Sequence, residues 1–158
     1  MTSPRSESAD AAPLPGPTGP APQEQQAKVQ ISPHLNAVPA ARAFLTRLLG
    51  AWDVPPEQTD NAALLTTELL SNAIRHGRGR VLLEVCLEQV PGLGTALHVR
   101  VVDDSQVPPR LGAPDADSEG GRGMWLVDAI AEQWGADIEP PPEQGKAVWF
   151  DLVVRDAA

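Results

Sequence analysis

The sequence predicts a two-layer α/β (α+β) sandwich, with helices packed on one face of a mostly antiparallel sheet. Three observations lead there. Segments of helical and of alternating period follow one another as short strand, two helices, two strands, one helix and two strands. Pro91-Gly92-Leu93-Gly94 separates the two central strands at hairpin distance. A single long stretch, residues 103–122, is rich in Pro, Gly and acidic side chains and has no period, which in a compact domain usually marks a functional loop.

Residues 1–27 hold Pro4, Pro13, Pro15, Pro17, Pro20 and Pro22 among Gly, Ala, Gln and Ser. So little apolar surface does not offset the entropy of ordering, and a disordered tail is expected. It has no apolar run behind a basic start, so it does not read as a signal peptide. The folded domain is expected over residues 28–154, with 155–158 as a C-terminal tail. Residues 28–31 open it as a short strand. Over residues 38–52, Ala41, Phe44, Leu45, Leu48 and Leu49 recur with a helical period, and Gly50 lies near the end. Pro55-Pro56 breaks the chain, and residues 57–76 form a second helix stopped by Gly77 and Gly79. Val81, Leu83, Val85 and Leu87 alternate through a strand over 80–88, and 96–102 returns beside it. A third helix spans 124–134, with Leu126, Val127 and Ile130 inward. Strands over 134–139 and 146–154 flank Pro140-Pro141-Pro142. Trp52, Trp125, Trp134 and Trp149 stand in or beside apolar runs and are expected in the core, as is Cys86.

The 158 residues carry a formal net charge of −9, and beyond Arg75, Arg78 and Arg80 no basic cluster occurs. The footprint of a nucleic-acid binder is therefore missing. The acidic surface favours solubility and permits a basic protein partner. No run reaches the roughly 18 apolar residues needed to span a bilayer, so no membrane association is expected. A single cysteine excludes an internal disulfide and fits a reducing, cytoplasmic setting.

Three separated pieces fit a nucleotide site. Glu68 and Asn72, four residues apart on the second helix, lie about 40° apart on one face. Leu65, Leu69 and Ala73 occupy the adjoining flank, which puts the pair at the rim of a buried helix. An amide oxygen suits Mg²⁺ that takes its other ligands from phosphates and water, and a carboxylate one turn away suits deprotonation of an attacking hydroxyl. From spacing alone, an ordinary polar helix edge is the favoured reading. The second piece is Asp103 at the end of an apolar strand, where a carboxylate either accepts a hydrogen bond from an exocyclic amine or merely ends the strand. The third is Gly120-Gly121-Arg122-Gly123-Met124 ahead of the third helix, where backbone N–H groups and the helix dipole suit a phosphate. A hinge into the helix would read the same. The glycines form neither a P-loop nor a dinucleotide-binding fingerprint.

In this order, over residues 28–154, the pieces resemble the GHKL superfamily of ATP-binding domains, the Bergerat fold. They look most like the stand-alone anti-sigma factor serine/threonine kinases of bacterial partner-switching systems. Glu-Leu-Leu-Ser-Asn-Ala-Ile-Arg-His-Gly at 68–77 is similar to the family's N-box, which implies Glu68 as catalytic base and Asn72 as Mg²⁺ ligand. Val-Val-Asp-Asp-Ser-Gln at 101–106 resembles the first glycine box and implies Asp103 as reader of adenine. Gly-Gly-Arg-Gly-Met-Trp-Leu-Val-Asp at 120–128 resembles the second, implying Gly121, Arg122, Gly123 and Met124 at the nucleotide and the loop over 105–120 as an ATP lid. Residues 145–152 resemble the terminal strand. Two departures stand out. Asp103 is followed by Asp104, Ser105, Gln106 and Val107 where the family usually has D-x-G-x-G, and Ala147 stands where the family often places a threonine near the adenine.

The resemblance implies a protein kinase that binds ATP and Mg²⁺, controls a sigma factor and phosphorylates an anti-anti-sigma antagonist, acting as a homodimer. The alternative is a nucleotide-gated protein-binding module without phosphotransfer. A histidine kinase is disfavoured, because His34 sits in an irregular stretch and His98 in a strand, away from any phosphoacceptor helix.

Overall fold

The computed structural model describes residues 24–92, 94–107, 120–138 and 145–155, with backbone alone for 120–123. Strand β1 (Glu24–Ile31) leads through one 3-10 turn (Leu35–Ala37) into α1 (Val38–Ala51) and α2 (Pro56–His76). Strands β2 (Val81–Val90) and β3 (Gly94–Asp103) follow, then α3 (Gly120–Ile130), β4 (Gln133–Ile138) and β5 (Lys146–Val154). The five strands form one sheet in the order β1-β2-β3-β5-β4, antiparallel throughout. The architecture is the expected two-layer α+β sandwich.

Alternation along the strands divides the sheet into two unlike faces. Val81, Leu83, Val85 and Leu87 of β2, Leu97, Val99 and Val101 of β3, and Val148, Phe150 and Leu152 of β5 are buried toward the helices. Leu45 and Leu49 of α1, Leu65, Leu69 and Leu70 of α2, and Met124 and Val127 of α3 close over them in one core. The other face carries Glu84, His98, Arg100 and Asp151, joined in pairs: Arg100 with Glu84, and His98 Nδ1 with Asp151. That polar face leaves the helical side as the place where a site can be built against a rigid core. No described helix is long and apolar enough to cross a membrane.

Several expectations shift. β1 begins at Glu24, ahead of the expected start at 28, because Glu24 to Ala27 pair in register with Glu88 to Val85 of β2. α1 does not stop on Gly50. It ends where Asp53 takes φ 62° and Val54 N–H donates to Leu49 O at 2.9 Å, which tucks Val54 into the core. α3 starts at Gly120, so the glycines are its first turn and not a loop before it. Glycine costs about 1 kcal/mol per helical position, and the buried Met124 and Val127 anchor the helix nonetheless. Cys86 lies on the polar face, half-buried, because it alternates with the inward Val85 and Leu87. Trp125 is 43% exposed, whereas Trp52 and Trp134 pack against the core and Trp149 is half-buried on the polar face. The tail over residues 1–23, the loop over 108–119, the proline connection within 139–144 and residues 156–158 lie outside the described residues.

The paired residues 24–27 generate a direct test. A chain beginning at Lys28 should melt several degrees below one beginning at Glu24, reflecting a loss of about 1–3 kcal/mol. Equal melting temperatures in calorimetry would show that this end of β1 contributes nothing.

Candidate nucleotide site

Helix α2 reaches both the core and the site. Pro56 at its first position leaves no N–H unpaired, and Thr59 Oγ1 donates to Val54 O at 3.2 Å. From there Leu65, Leu69, Leu70 and Ala73 are buried, which fixes the rotation of the helix. Glu68 and Asn72 consequently sit half-buried on the rim, one turn apart, as the spacing predicts. The helix ends at Gly77, whose N–H donates to Ala73 O at 2.9 Å.

Gly77 is where the first two pieces of the site meet. A Cβ there would stand 2.5 Å from Ala73 O and 2.6 Å from Asp103 Cγ, so only glycine lets the end of α2 lie against that carboxylate. Gly145 approaches from another side, since a Cβ on it would fall 2.4 Å from Asp103 O. Gly79, at φ +74°, makes the same allowance for Asp104, whose Oδ2 accepts from Arg80 N–H at 2.7 Å. The two neighbouring aspartates thus have separate tasks. Asp103 points into the domain, and Asp104 ties down the turn over 77–80 through its Arg80 contacts and its own N–H to Arg78 O at 2.8 Å.

Asp103 is 1% exposed, and both of its oxygens are engaged. Oδ2 accepts from Lys146 Nζ at 2.7 Å, and Oδ1 accepts from Ser105 N–H at 2.7 Å. Lys146 is itself 3% exposed and is the cross-strand partner of Asp103 in the β3–β5 register. The sequence reading placed Ala147 at this end of the pocket. Strand alternation turns Ala147 to the opposite face, beside Val102, and brings Lys146 inward. The available signal was a lone lysine heading an apolar strand directly behind a glycine.

The third piece enters through α3, which packs against α2. Its first turn comprises Gly120 to Gly123, and the leading N–H groups of any helix lack intrahelical acceptors. Met124 is a core side chain, 1% exposed, so any part it takes at a nucleotide falls to its backbone. The side chain of Arg122 lies outside the described residues. Glu68, Asn72, Gly77 and Asp103 are therefore placed by α2 and the ends of β3 and β5, and the glycine turn by the helix alongside.

A second group of ionisable side chains occupies the polar face, around a depression lined by Lys28, Glu84, Cys86, His98 and Arg100. There Cys86 Sγ donates to Glu24 Oε2 at 3.4 Å. Burial, that hydrogen bond and the charges of Glu24 and Glu88 push the thiol up to about 11. A thiol held in its protonated form is a weak nucleophile. The helical side remains the better candidate.

The sandwich, with a polar pair on a rim helix and a glycine turn on the next, is that of an ATP-binding domain. The model of the histidine kinase-like ATPase domain matches residues 31–151, most of the chain, and the protein belongs to that family. A search of curated proteins found no match. Membership implies ATP binding and ATP-dependent chemistry, and the fold is of the GHKL type.

Two glycine substitutions test the close packing at Asp103. Gly77→Ala forces the α2 terminus away from the carboxylate and should lower stability by about 1–3 kcal/mol. Gly50→Ala, in open space within α1, should instead raise it by about 0.5–1 kcal/mol. Denaturant melts of both variants check this, and equal effects would refute the packing.

Proposed function

We propose that the protein is an ATP-dependent serine/threonine kinase that regulates a sigma factor, with Glu68 as its base. The observation that supports this most is the half-buried Glu68–Asn72 pair on a helix whose end abuts Asp103. In this reading the hydroxyl oxygen of a partner's serine or threonine attacks the γ-phosphorus of ATP. The bond to the β,γ-bridging oxygen breaks, ADP leaves, and the hydroxyl proton passes to the Glu68 carboxylate. Half-burial suits that role, because the adjoining leucines hold the helix still while the residue remains partly accessible. Asn72 would hold Mg²⁺. Its neutral amide fits a cation that keeps phosphate and water oxygens, and the ion would supply charge neutralisation at the phosphates. Asp103 serves the base, and the backbone of Gly121 and Gly123, with Arg122, the phosphates.

The partners follow from the same reading. An anti-anti-sigma protein is the phosphoacceptor, the sigma factor is the competing ligand, and a cytoplasmic homodimer is the working unit. The acidic charge suits a basic patch on one of the two partners. A nucleotide-gated binding module without phosphotransfer is the second reading.

Two substitutions separate these readings. Asn72→Ala keeps a good helix former and should abolish the Mg²⁺ dependence of ATP binding in calorimetry. Unchanged ATP–Mg²⁺ affinity would remove Asn72 from the metal. Glu68→Gln should leave ATP binding intact while phosphate transfer to the partner falls by roughly 10²-fold or more. Transfer at the unaltered rate would make Glu68 a helix-rim residue. No transfer by the unaltered protein would favour the binding module.

A further inference from the structure

We propose that Lys146 competes with the nucleotide base for the carboxylate of Asp103, so that base recognition requires a buried ammonium to be displaced. The inference rests on the nucleotide-site reading above and concerns how that site is occupied. Asp103 and Lys146 face each other at the last inward position of β3 and the first of β5, 2.7 Å apart. They are 1% and 3% exposed. With Ser105 N–H on the other oxygen, each carboxylate oxygen already accepts one strong donor.

An exocyclic amine is a neutral donor. A charge-assisted bond from an ammonium is roughly twice as strong as a neutral one, so the amine does not displace Lys146 at equal geometry. It must share Oδ2 or wait for the lysine to leave. The fold allows such a departure. Lys146 is the first residue of β5, directly behind Gly145, and carries its charge on a flexible four-carbon stem. The ammonium can swing aside without unpairing the strand beyond it. In the ground state, then, the pair is closed and electrically neutral. The site takes a purine nucleotide less tightly than a free carboxylate would, by the fraction of molecules in which the pair is open.

A purely structural staple makes a different prediction, because removing it would lower stability and leave ligand affinity alone. Calorimetric titration of the full chain with ATP–Mg²⁺, and with inorganic tripolyphosphate as a base-free probe, separates the two. Lys146→Met should bind ATP about tenfold more tightly than the unaltered protein, a shift of about 1.4 kcal/mol. Tripolyphosphate affinity should not change, and the variant should melt lower without nucleotide. Should Lys146→Met fail to fold, Lys146→Gln keeps a neutral donor on Asp103 and should shift ATP affinity in the same direction by less. Lys146→Arg, which keeps a cation on the carboxylate, should show no gain in ATP affinity. Unaltered or weaker ATP binding in the Met and Gln variants overturns the proposal, as does equal tightening for tripolyphosphate, which would place Lys146 at the phosphates. If the unaltered protein and every variant bind no ATP, the nucleotide-site reading falls as well. ATP binding without any gain on losing the lysine sinks the competition alone.

Discussion

The register between β3 and β5 is the constraint on which the site depends. It sets Asp103 opposite Lys146, with Val101, Val99 and Leu97 opposite Val148, Phe150 and Leu152. A slip of one residue would turn every one of these side chains to the other face. The apolar pairs alone would resist that, but the charged pair makes the penalty steeper. Leaving one buried charge without its partner costs about 3–5 kcal/mol. The fold therefore accepts an ion pair inside its core at one end, and gains a defined strand register there. Gly77 and Gly145 both approach Asp103 closely enough to exclude a Cβ, so the end of α2 and the start of β5 converge on that point.

The chain beyond Asp103 shows how the fold manages without the glycines expected there. Ser105 N–H donates to Asp103 Oδ1, and Val107 N–H donates to Ser105 Oγ at 3.0 Å. Aspartate and serine side chains form such turns by bonding to backbone two residues on. The departure Asp-Asp-Ser-Gln is thus a different route to a turn: side-chain acceptors hold a path that a glycine would take through its freedom of φ. Asp104 is drawn away to Arg80 by the same economy, which leaves Asp103 as the inward carboxylate.

Much of this was legible in the sequence, for identifiable reasons. Helix α2 declared itself because Leu65, Leu69 and Ala73 repeat at helical spacing, and the same spacing put Glu68 and Asn72 on its rim. The central hairpin was legible because one face is buried and the other is not. What the sequence hid were contacts between distant segments. Nothing local to Glu24 reveals that it pairs with Glu88, since its polar neighbours read as tail. Nothing local to Lys146 reveals a buried partner forty-odd residues back, because lysine at a strand end ordinarily reaches water. Cys86 was assigned to the core by residue type, whereas its place is set by strand phase, one step from the inward Val85. Likewise the start of α3 was hidden by glycine's low helix propensity, which the burial of Met124 and Val127 overrides.

The site that results divides into parts of unequal stiffness. Glu68 and Asn72 inherit the rigidity of a helix locked by fully buried leucines, which the catalytic role proposed for them would require, because a misplacement near 1 Å costs rate heavily. The base end is held by a side-chain pair at the start of a strand, and one of its members is a lysine with several rotatable bonds. A ligand can alter the second far more readily than the first. If the protein switches between partners, the physical place for its sensitivity to nucleotide is therefore the end where Asp103 would choose a donor, and not the helix that presents Glu68 and Asn72. A two-state response requires that the ligand contact the two states differently. An ammonium that is on the carboxylate in one state and off it in the other supplies that difference within the domain itself.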